Sequence, residues 1–460
     1  MTMIPRSSER PVTAKGHLLR ILGVGFGIAV IIGNTVGVGI LRTPGEIAAR
    51  LQSSWLVIAL WVLGGIYAFF CTLSVTELGT MLPQAGGWYV YSRRAFGEYG
   101  GFAVGCCDWI VQSTSVAYLA IACGEFVGEL HPALRGNVKV IAVTTLGLLT
   151  LLNWVGLRAG SRAQELTSLV KVLGLVGLVV ACFVTSPAGQ TAPAAFALPR
   201  GGLLLAVLLA MQSIVVTYDG WYGAIYFTEE DEDPAKNLPR SSMAGVLACI
   251  AIYLLVNFAL LHALTLTHLA ASQMPAVDAA MAIFGGRGKQ VILVMSLVSA
   301  VSTINALLLV TPRILFGMSR DGLLPRAVTS VNRGGTPTIA LLLEAVAGTA
   351  LILSGNFDKL VAMASFLFVA VYLSGFCALF VLRVREPNLP RPFKTWGYPW
   401  SNGMVLVASA AFLLGSIVGD LKDALFTLVL VGVSYPVYWV MKWKKRVPLR
   451  AAEVLVVPEE

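Results

Sequence analysis

Three glycines interrupt a long apolar stretch near the beginning of the chain. Gly33, Gly37 and Gly39 lie within an apolar run that begins at Leu18 and continues to about Ala49. Each glycine inside a helix costs roughly 0.5 to 1 kcal/mol relative to alanine, so the run predicts two half-helices with extended backbone between them. The second half-helix, starting near Gly39, would present unpaired N–H groups and a partial positive charge. Such a helix N-terminus suits a carboxylate.

A second break interrupts another apolar segment at residues 218–221, Tyr-Asp-Gly-Trp. The half-helix that ends near Thr217 would present unpaired carbonyl groups, which suit an ammonium. We therefore expect an ammonium against the backbone of Val216, Thr217 and Asp219, joined by the carbonyl of Thr35. The two breaks together offer complementary poles for a zwitterion. Close helix packing is the alternative role for glycines of this kind, but packing requires no second break.

Three ionisable side chains lie inside or beside these apolar segments. Lys171 is costly in hydrocarbon and is a functional candidate for that reason, the alternative being a lysine that snorkels to the interface. Asp219 could meet a substrate amine or carry a proton, but N-capping of the second half-helix is the favoured role. Asp108 could neutralise a cationic substrate, carry a proton or pair with Arg93 or Arg94, and the pairing is favoured.

The composition predicts the elements that must position these groups. The 460 residues are 57% hydrophobic and 12% charged, and the mean hydropathy of +0.79 excludes a soluble globular domain. About 20 apolar residues cross the hydrocarbon core of a membrane, and twelve such segments recur in one all-helical transmembrane domain, 1–460. The predicted spans are 18–48, 54–80, 99–128, 138–156, 166–185, 203–228, 241–264, 288–316, 336–354, 360–383, 402–419 and 422–441.

The first ten spans divide into two sets of five, and the first span of each set is interrupted. Interrupted helices at corresponding positions indicate an inverted-repeat transporter with its site at the midplane. The first repeat is 18–185, the inverted second repeat is 203–383, and 402–441 holds helices 11 and 12. Most of the 33 basic residues fall on the side of the termini, which predicts cytoplasmic termini. All seven cysteines fall within predicted spans, so disulfides are not expected.

Five groups of motifs give the chain a specific resemblance. They resemble amino acid transporters of the amino acid/polyamine/organocation (APC) superfamily, and among these the L-type branch most closely. They occur in the expected order and cover nearly the whole chain. The motifs are 33–41, 76–83 with 86–91, 218–221 with 228–230 and 233–240, 302–305 with 312–313 and 320–325, and 391–393 with 397–399.

The resemblance assigns roles to the first break and to the buried lysine. It implies that the backbone of Gly37, Val38 and Gly39 binds the substrate carboxylate. Lys171 is similar to a fifth-helix lysine whose ammonium occupies the place of a sodium ion and bridges helices one and eight. A fixed internal cation at that position argues against sodium coupling.

Further side chains could gate the site. Ser299 and Thr303 lie one helical turn apart on a shared face, and both could hydrogen-bond the lysine or line the site. Bonding to carbonyls of their own helix is the alternative. Many relatives have a bulky gating aromatic where this chain has Val216, so we expect occlusion by Tyr218 or Trp221.

These observations predict a transporter of L-amino acids that works by alternating access in the plasma membrane. Small or medium neutral substrates are expected because carboxylates are scarce near the breaks, with sodium-independent exchange or facilitated transport. The alternative is a cationic amino acid or polyamine transporter that is proton-coupled through Asp108. An enzyme is not expected, since the sequence has no His-Glu-x-x-His and no Gly-x-Ser-x-Gly motif.

The expected partners are the amino acid substrate and the lipid bilayer. We predict no cofactor, no metal and no nucleic-acid partner. L-type relatives in animals join a heavy chain through a cysteine in the outer loop after helix three. The corresponding residues 129–137 contain no cysteine, so a disulfide-linked heavy chain is not expected.

Overall fold

The computed structural model describes residues 18–184, 202–355, 357–419, 429 and 432–443. Fourteen α-helices and three short 3₁₀ helices (Pro132–Asn137, Gly223–Phe227 and Arg326–Thr329) make up most of these residues. The α-helices are α1 (Val24–Thr35), α2 (Gly39–Leu51), α3 (Ser54–Met81), α4 (Trp88–Leu130), α5 (Val138–Val155), α6 (Leu157–Val184), α7 (Gly202–Thr217), α8 (Pro234–Ala263), α9 (Leu266–Ala271), α10 (Pro275–Phe284), α11 (Arg287–Arg320), α12 (Thr338–Ser354), α13 (Phe357–Arg385) and α14 (Trp400–Gly419).

The predicted class, an all-helical polytopic membrane protein, is confirmed. Within the described ranges, seven helices are long and apolar enough to cross a membrane, and the bent pair α1 and α2 forms an eighth such span. Helices α7, α12 and α14 are apolar but shorter, and they match the predicted spans 203–228, 336–354 and 402–419. Of the predicted span 422–441, the structure describes residues 429 and 432–441, and these are helical.

The first helix is broken where the glycines predict it. Helix α1 ends at Thr35, where the N–H of Val36 still donates to the carbonyl of Ile32 at 2.8 Å. Helix α2 begins at Gly39, and its axis is bent by 46° from that of α1. Three residues of irregular backbone therefore lie in the middle of the span, inside the protein, where neighbouring helices can meet their polar groups.

The second broken helix differs from its prediction in its second half. Helix α7 ends at Thr217, but a continuing α-helix is absent there, and turns lead into the 3₁₀ helix Gly223–Phe227. Gly220 has φ +111°, and a Cβ atom there would lie 2.6 Å from the carbonyl carbon of Asn34. The close approach of the first break to this glycine fixes a conformation that cannot continue as an α-helix.

Helix α4 begins eleven residues before the predicted span 99–128, at Trp88. The prediction took Arg93 and Arg94 as loop residues, but both form ion pairs, with Asp321 and Glu386 at 2.8 Å. The helix continues through both arginines and has a kink at Gly97, where φ is +86°. Helix α4 packs against α5, α11, α12 and α13, and α1 packs against α6, α8 and α11. These contacts place the two breaks inside the bundle.

Candidate functional site at the two helix breaks

The backbone of the first break leaves amide donors near the start of α2. The N–H of Gly37 donates to the carbonyl of Thr35 at 2.8 Å, so it is engaged in a tight turn. The N–H groups of Val38 and Gly39 have no hydrogen-bond acceptor among the described residues. Of the three residues predicted to bind a carboxylate, these two offer the unpaired donors at a helix N-terminus.

The second break lies directly against the first. A Cβ atom on Gly39 would stand 3.3 Å from the Cγ2 atom of Thr217, the last residue of α7. The hydroxyl of Thr217 bonds the hydroxyl of Thr43 on α2 at 3.0 Å and donates to the carbonyl of Ser213 at 2.7 Å. The carbonyl of Val216 accepts the N–H of Asp219 at 3.2 Å. The structure therefore brings together the donor end of α2 and the carbonyl end of α7.

Tyr253 of α8 joins the two breaks. Its hydroxyl lies 2.6 Å from the carbonyl oxygen of Thr35 and 2.9 Å from that of Thr217. The Thr35 carbonyl also accepts the N–H of Gly37, so both of its lone pairs have neighbours, whereas the Thr217 carbonyl retains a lone pair for one further donor, such as a substrate ammonium. Sequence analysis missed this residue, although a single tyrosine hydroxyl within an apolar helix is a signal that could have drawn attention to it.

The Lys171 side chain of α6 enters the first break from the opposite side. It is 5% exposed, so the snorkelling alternative does not apply. Its Nζ atom donates to the carbonyl of Gly33 at 2.9 Å and lies 3.5 Å from the hydroxyl oxygen of Thr303. Helices α1 and α11 correspond to helices one and eight of the resemblance, and the ammonium bridges them.

Ser299 and Thr303 of α11 both reach the first break. The hydroxyl of Ser299 donates to the carbonyl of Val36 at 3.0 Å. The hydroxyl of Thr303 lies 3.0 Å from the carbonyl of Gly33 and 3.0 Å from that of Ser299, its own helix. Thr303 therefore contacts both the first break and a carbonyl of its own helix, the two alternatives that the sequence left open. A cavity of about 120 Å³ beside Lys171 is lined mostly by apolar side chains, with Gly37 and Ser299 also in its wall.

The N-capping role predicted for Asp219 is wrong. The 3₁₀ helix begins after Tyr222, whose side chain does not cap it. The carboxyl group of Asp219 instead accepts a hydrogen bond from the hydroxyl of Tyr372 on α13. The turn at Gly220 separates Asp219 from the start of the helix, which is the physical reason that its carboxylate cannot reach the first helical N–H groups.

The aromatic side chains beside the second break are buried. Tyr218 and Trp221 are 1% and 3% exposed, and Tyr218 packs on Tyr253 with ring centroids 4.8 Å apart. Trp221 stacks on Phe376 and meets the edge of Trp88. The side chain of Val216, by contrast, is 43% exposed on the surface of the bundle. The Val216 side chain therefore does not cover the break from inside, and occlusion by Tyr218 or Trp221 remains a prediction.

Asp108 does not pair with Arg93 or Arg94, so that prediction is wrong. The two arginines lie before the kink at Gly97 and bind acidic residues that directly follow α11 and α13. Asp108 lies beyond the kink and accepts hydrogen bonds from Tyr226. The bend in α4 thus separates the charges that sequence proximity suggested as partners.

Several acidic residues near the ends of helices are neutralised by arginine. Glu230 binds Arg313 through two hydrogen bonds of 2.7 and 2.9 Å, and both side chains are almost fully buried. Further pairs are Glu77 with Arg383 and Glu229 with Arg320. Among the described residues, no group of three or more His, Cys, Asp or Glu side chains could hold a metal ion.

Two broken helices that face each other across a polar centre, in an all-helical membrane protein, define a membrane transporter of the inverted-repeat type. The sequence matches the family described as Amino acid permease over residues 27–435, and the chain belongs to this family. Its substrates are therefore amino acids, and both the family and the relatives below are transporters rather than enzymes.

Relatives from bacteria and animals match most of the chain. The serine/threonine exchanger SteT of Bacillus subtilis (strain 168) is 29% identical over 94% of this chain and 99% of its own length. The large neutral amino acids transporter small subunit 2 of Mus musculus is 28% identical over 81% of this chain and 72% of its own. The b(0,+)-type amino acid transporter 1 of Homo sapiens is 26% identical, over 84% and 80% respectively.

Proposed function

We propose that this protein carries small or medium neutral L-amino acids across the plasma membrane, without sodium, by alternating access and in exchange for one another. The contact of the Lys171 ammonium with the carbonyl of Gly33, at 2.9 Å, carries the sodium-independent part of the proposal. A carbonyl at a helix break is the kind of ligand that coordinates sodium in coupled transporters. Here a fixed cation already holds it.

The backbone of the two breaks supports a zwitterionic substrate. Val38 and Gly39 offer N–H donors to a carboxylate, while the carbonyl of Thr217 retains a lone pair for an ammonium. Substrates that lack either group should not compete. An amino acid amide that competes as well as the free acid would count against this arrangement.

The neutral character of the substrate rests on the polar groups near the breaks and on one relative. The only carboxyl group within the second break, Asp219, already accepts a hydrogen bond from Tyr372. Burying a cationic side chain without an ionised acceptor is costly. The name serine/threonine exchanger, carried by a relative that matches nearly the whole chain, supports small neutral substrates and exchange.

The placement of the chain is also part of the proposal. The excess of basic residues on one side supports cytoplasmic termini in the plasma membrane. The loop after α4, which contains the 3₁₀ helix Pro132–Asn137, has no cysteine, and this supports a transporter without a disulfide-linked heavy chain.

Counterflow in vesicles tests the proposal. The purified protein is reconstituted into liposomes loaded with unlabelled L-serine, and uptake of labelled L-serine, L-threonine, L-alanine, L-leucine or L-arginine is measured in sodium and in choline buffer. We expect uptake of the smaller neutral amino acids, stimulated by internal serine and equal in the two buffers. Transport of arginine alone would instead support the cationic alternative. A clear loss of uptake in choline would contradict the role proposed for the lysine.

A further inference from the structure

The carboxyl group of Asp108 lies in the interior without a cationic partner. Its side chain is 2% exposed, and no lysine, arginine or histidine of the described chain contacts it. Its hydrogen bonds come from the hydroxyl of Tyr226, at 3.0 and 2.8 Å from the two carboxyl oxygens, and from Nε2 of Gln112, at 3.2 Å. An ionised carboxylate without a cation is costly in low dielectric, so the neutral acid is a form that this site must also accommodate.

Gln112 is equipped to meet both forms of that carboxyl group. Its Nε2 atom donates to Asp108, as a carboxylate requires. Its Oε1 atom is buried and has no partner among the described residues. A carboxylic acid carries one O–H donor, and a half-turn of the amide would present Oε1 to accept it. Gln112 can thus hydrogen-bond the Asp108 carboxyl group in both its ionised and its protonated form.

A chain of polar side chains connects Asp108 with the second helix break. Nε2 of Gln112 also donates to the hydroxyl of Tyr222 at 3.2 Å. The ring of Tyr222 packs against that of Tyr372, with centroids 5.3 Å apart, and their hydroxyl groups interact. Tyr372 in turn donates to the carboxyl group of Asp219. Because Asp219 lies in the break and Tyr226 in the 3₁₀ helix that follows it, a change in the broken helix alters the surroundings of Asp108.

The other titratable groups around the two carboxyls supply no positive charge. Two charged or titratable residues come from helices that pack against α4. Arg313 of α11 is bound to Glu230, and Glu344 of α12 accepts a hydrogen bond from Ser113. The titratable groups that interact with one or both carboxyls are Cys107, Tyr222, Tyr226 and Tyr372, and, around Asp219, Tyr67, Tyr118 and Tyr253.

We propose that Asp108 binds one proton and releases it once in each cycle of net transport, so that net uptake of a neutral amino acid carries a proton with it. The inference rests on the proposed function and adds a second cargo to it. An O–H bond forms on the Asp108 carboxylate with a proton from the outer water, and it breaks when the proton leaves to the cytoplasm. The amino acid is unchanged, and one positive charge moves inward. During exchange the proton returns with the outgoing amino acid, so counterflow needs no proton gradient.

Net uptake of labelled L-serine and L-alanine into empty liposomes tests the proposal. The membrane potential is held at zero with valinomycin and equal potassium, and the outside is made more acidic by about one pH unit. Since one unit corresponds to about 1.36 kcal/mol, we expect an accumulation of about tenfold over the outside concentration. Equal concentrations inside and outside, or no net uptake into empty vesicles whose loaded counterparts show counterflow, would overturn the proton proposal and leave the proposed function standing. Absence of counterflow for every amino acid tested would instead overturn the proposed function.

Variants identify the carboxyl group responsible. Asp108→Asn keeps an oxygen acceptor for Tyr226, and we expect it to retain counterflow but to lose accumulation in the pH gradient. Glu344→Gln, another fully buried acid that contacts α4, is the matched control and should accumulate like the wild type. Accumulation by Asp108→Asn, or its loss in Glu344→Gln alone, would overturn the assignment.

A second variant covers the case in which Asp108→Asn does not fold. Tyr226→Phe leaves the acid in place but removes the hydroxyl that stabilises its ionised form. The pH at which net uptake is half-maximal should therefore move upward while counterflow remains. An unchanged pH profile would contradict the role of Asp108.

Discussion

The Nζ atom of Lys171 and the hydroxyl oxygen of Thr303 share one acceptor, the carbonyl oxygen of Gly33, at 2.9 and 3.0 Å. The lysine belongs to α6, the threonine to α11 and the acceptor to the last turn of α1. The two contacts can exist together only while these three helices are close. A residue whose contacts differ between two states biases the equilibrium between them.

Replacing Lys171 by alanine should therefore lower turnover more than substrate affinity. A hydrogen bond to a charged group contributes about 1.5 to 3 kcal/mol, so turnover should fall by about tenfold or more. Lys139→Ala is the control, since Lys139 also donates to a carbonyl, that of Leu353, but is exposed. Counterflow rates and equilibrium binding decide the matter, and wild-type turnover in Lys171→Ala would leave the residue without a gating role.

Gly39→Val should abolish substrate binding in a folded protein. A Cβ atom at this position already lies 3.3 Å from Thr217, and the further methyl groups would separate the two breaks and cover the N–H groups at the start of α2. Gly177→Val is the control, because nothing lies within 4 Å of a Cβ atom there. Binding of labelled amino acid and the melting temperature should be measured together. Undiminished binding by a well-folded Gly39→Val would refute the carboxylate site.

Tyr253→Phe should weaken both transport and stability. Its hydroxyl holds the carbonyls of Thr35 and Thr217, and leaving a buried acceptor unsatisfied costs about 1 to 3 kcal/mol. We expect a lower melting temperature and slower counterflow. Tyr67→Phe, which removes a hydroxyl bonded to Ser409 on α14, should not slow counterflow comparably. If Tyr253→Phe and Tyr67→Phe slowed counterflow equally, the contacts of Tyr253 with the two breaks would not be specifically required for transport.

The pair of Arg313 and Glu230 should tolerate joint replacement better than the loss of one partner. Both side chains are at most 1% exposed, and removing one charge of a buried pair typically costs about 3 to 5 kcal/mol. Arg313→Gln or Glu230→Gln alone should therefore lower the melting temperature strongly. The double variant should lose less than the sum of the two. Strict additivity would mean that the two charges do not stabilise each other.

The sequence alone determined the features that depend on local chemistry. The glycines from Gly33 to Gly39 and the Gly220 turn predict broken helices because a helix cannot tolerate them cheaply, whatever surrounds it. Lys171 was identified because a charge inside an apolar segment is costly at any position in the fold. The number of apolar segments likewise predicted the class of the protein.

Only the tertiary structure decided which of these groups meet. Tyr253 binds a carbonyl 218 residues away, and Asp108 finds its donor in Tyr226, 118 residues along the chain. The nearby arginines, which sequence proximity favoured, lie across the kink at Gly97 and have other partners. The pairing of buried polar groups depends on which helices are neighbours and on how each is bent. Packing across the whole bundle sets those relations, and the order of residues along any one helix does not contain them.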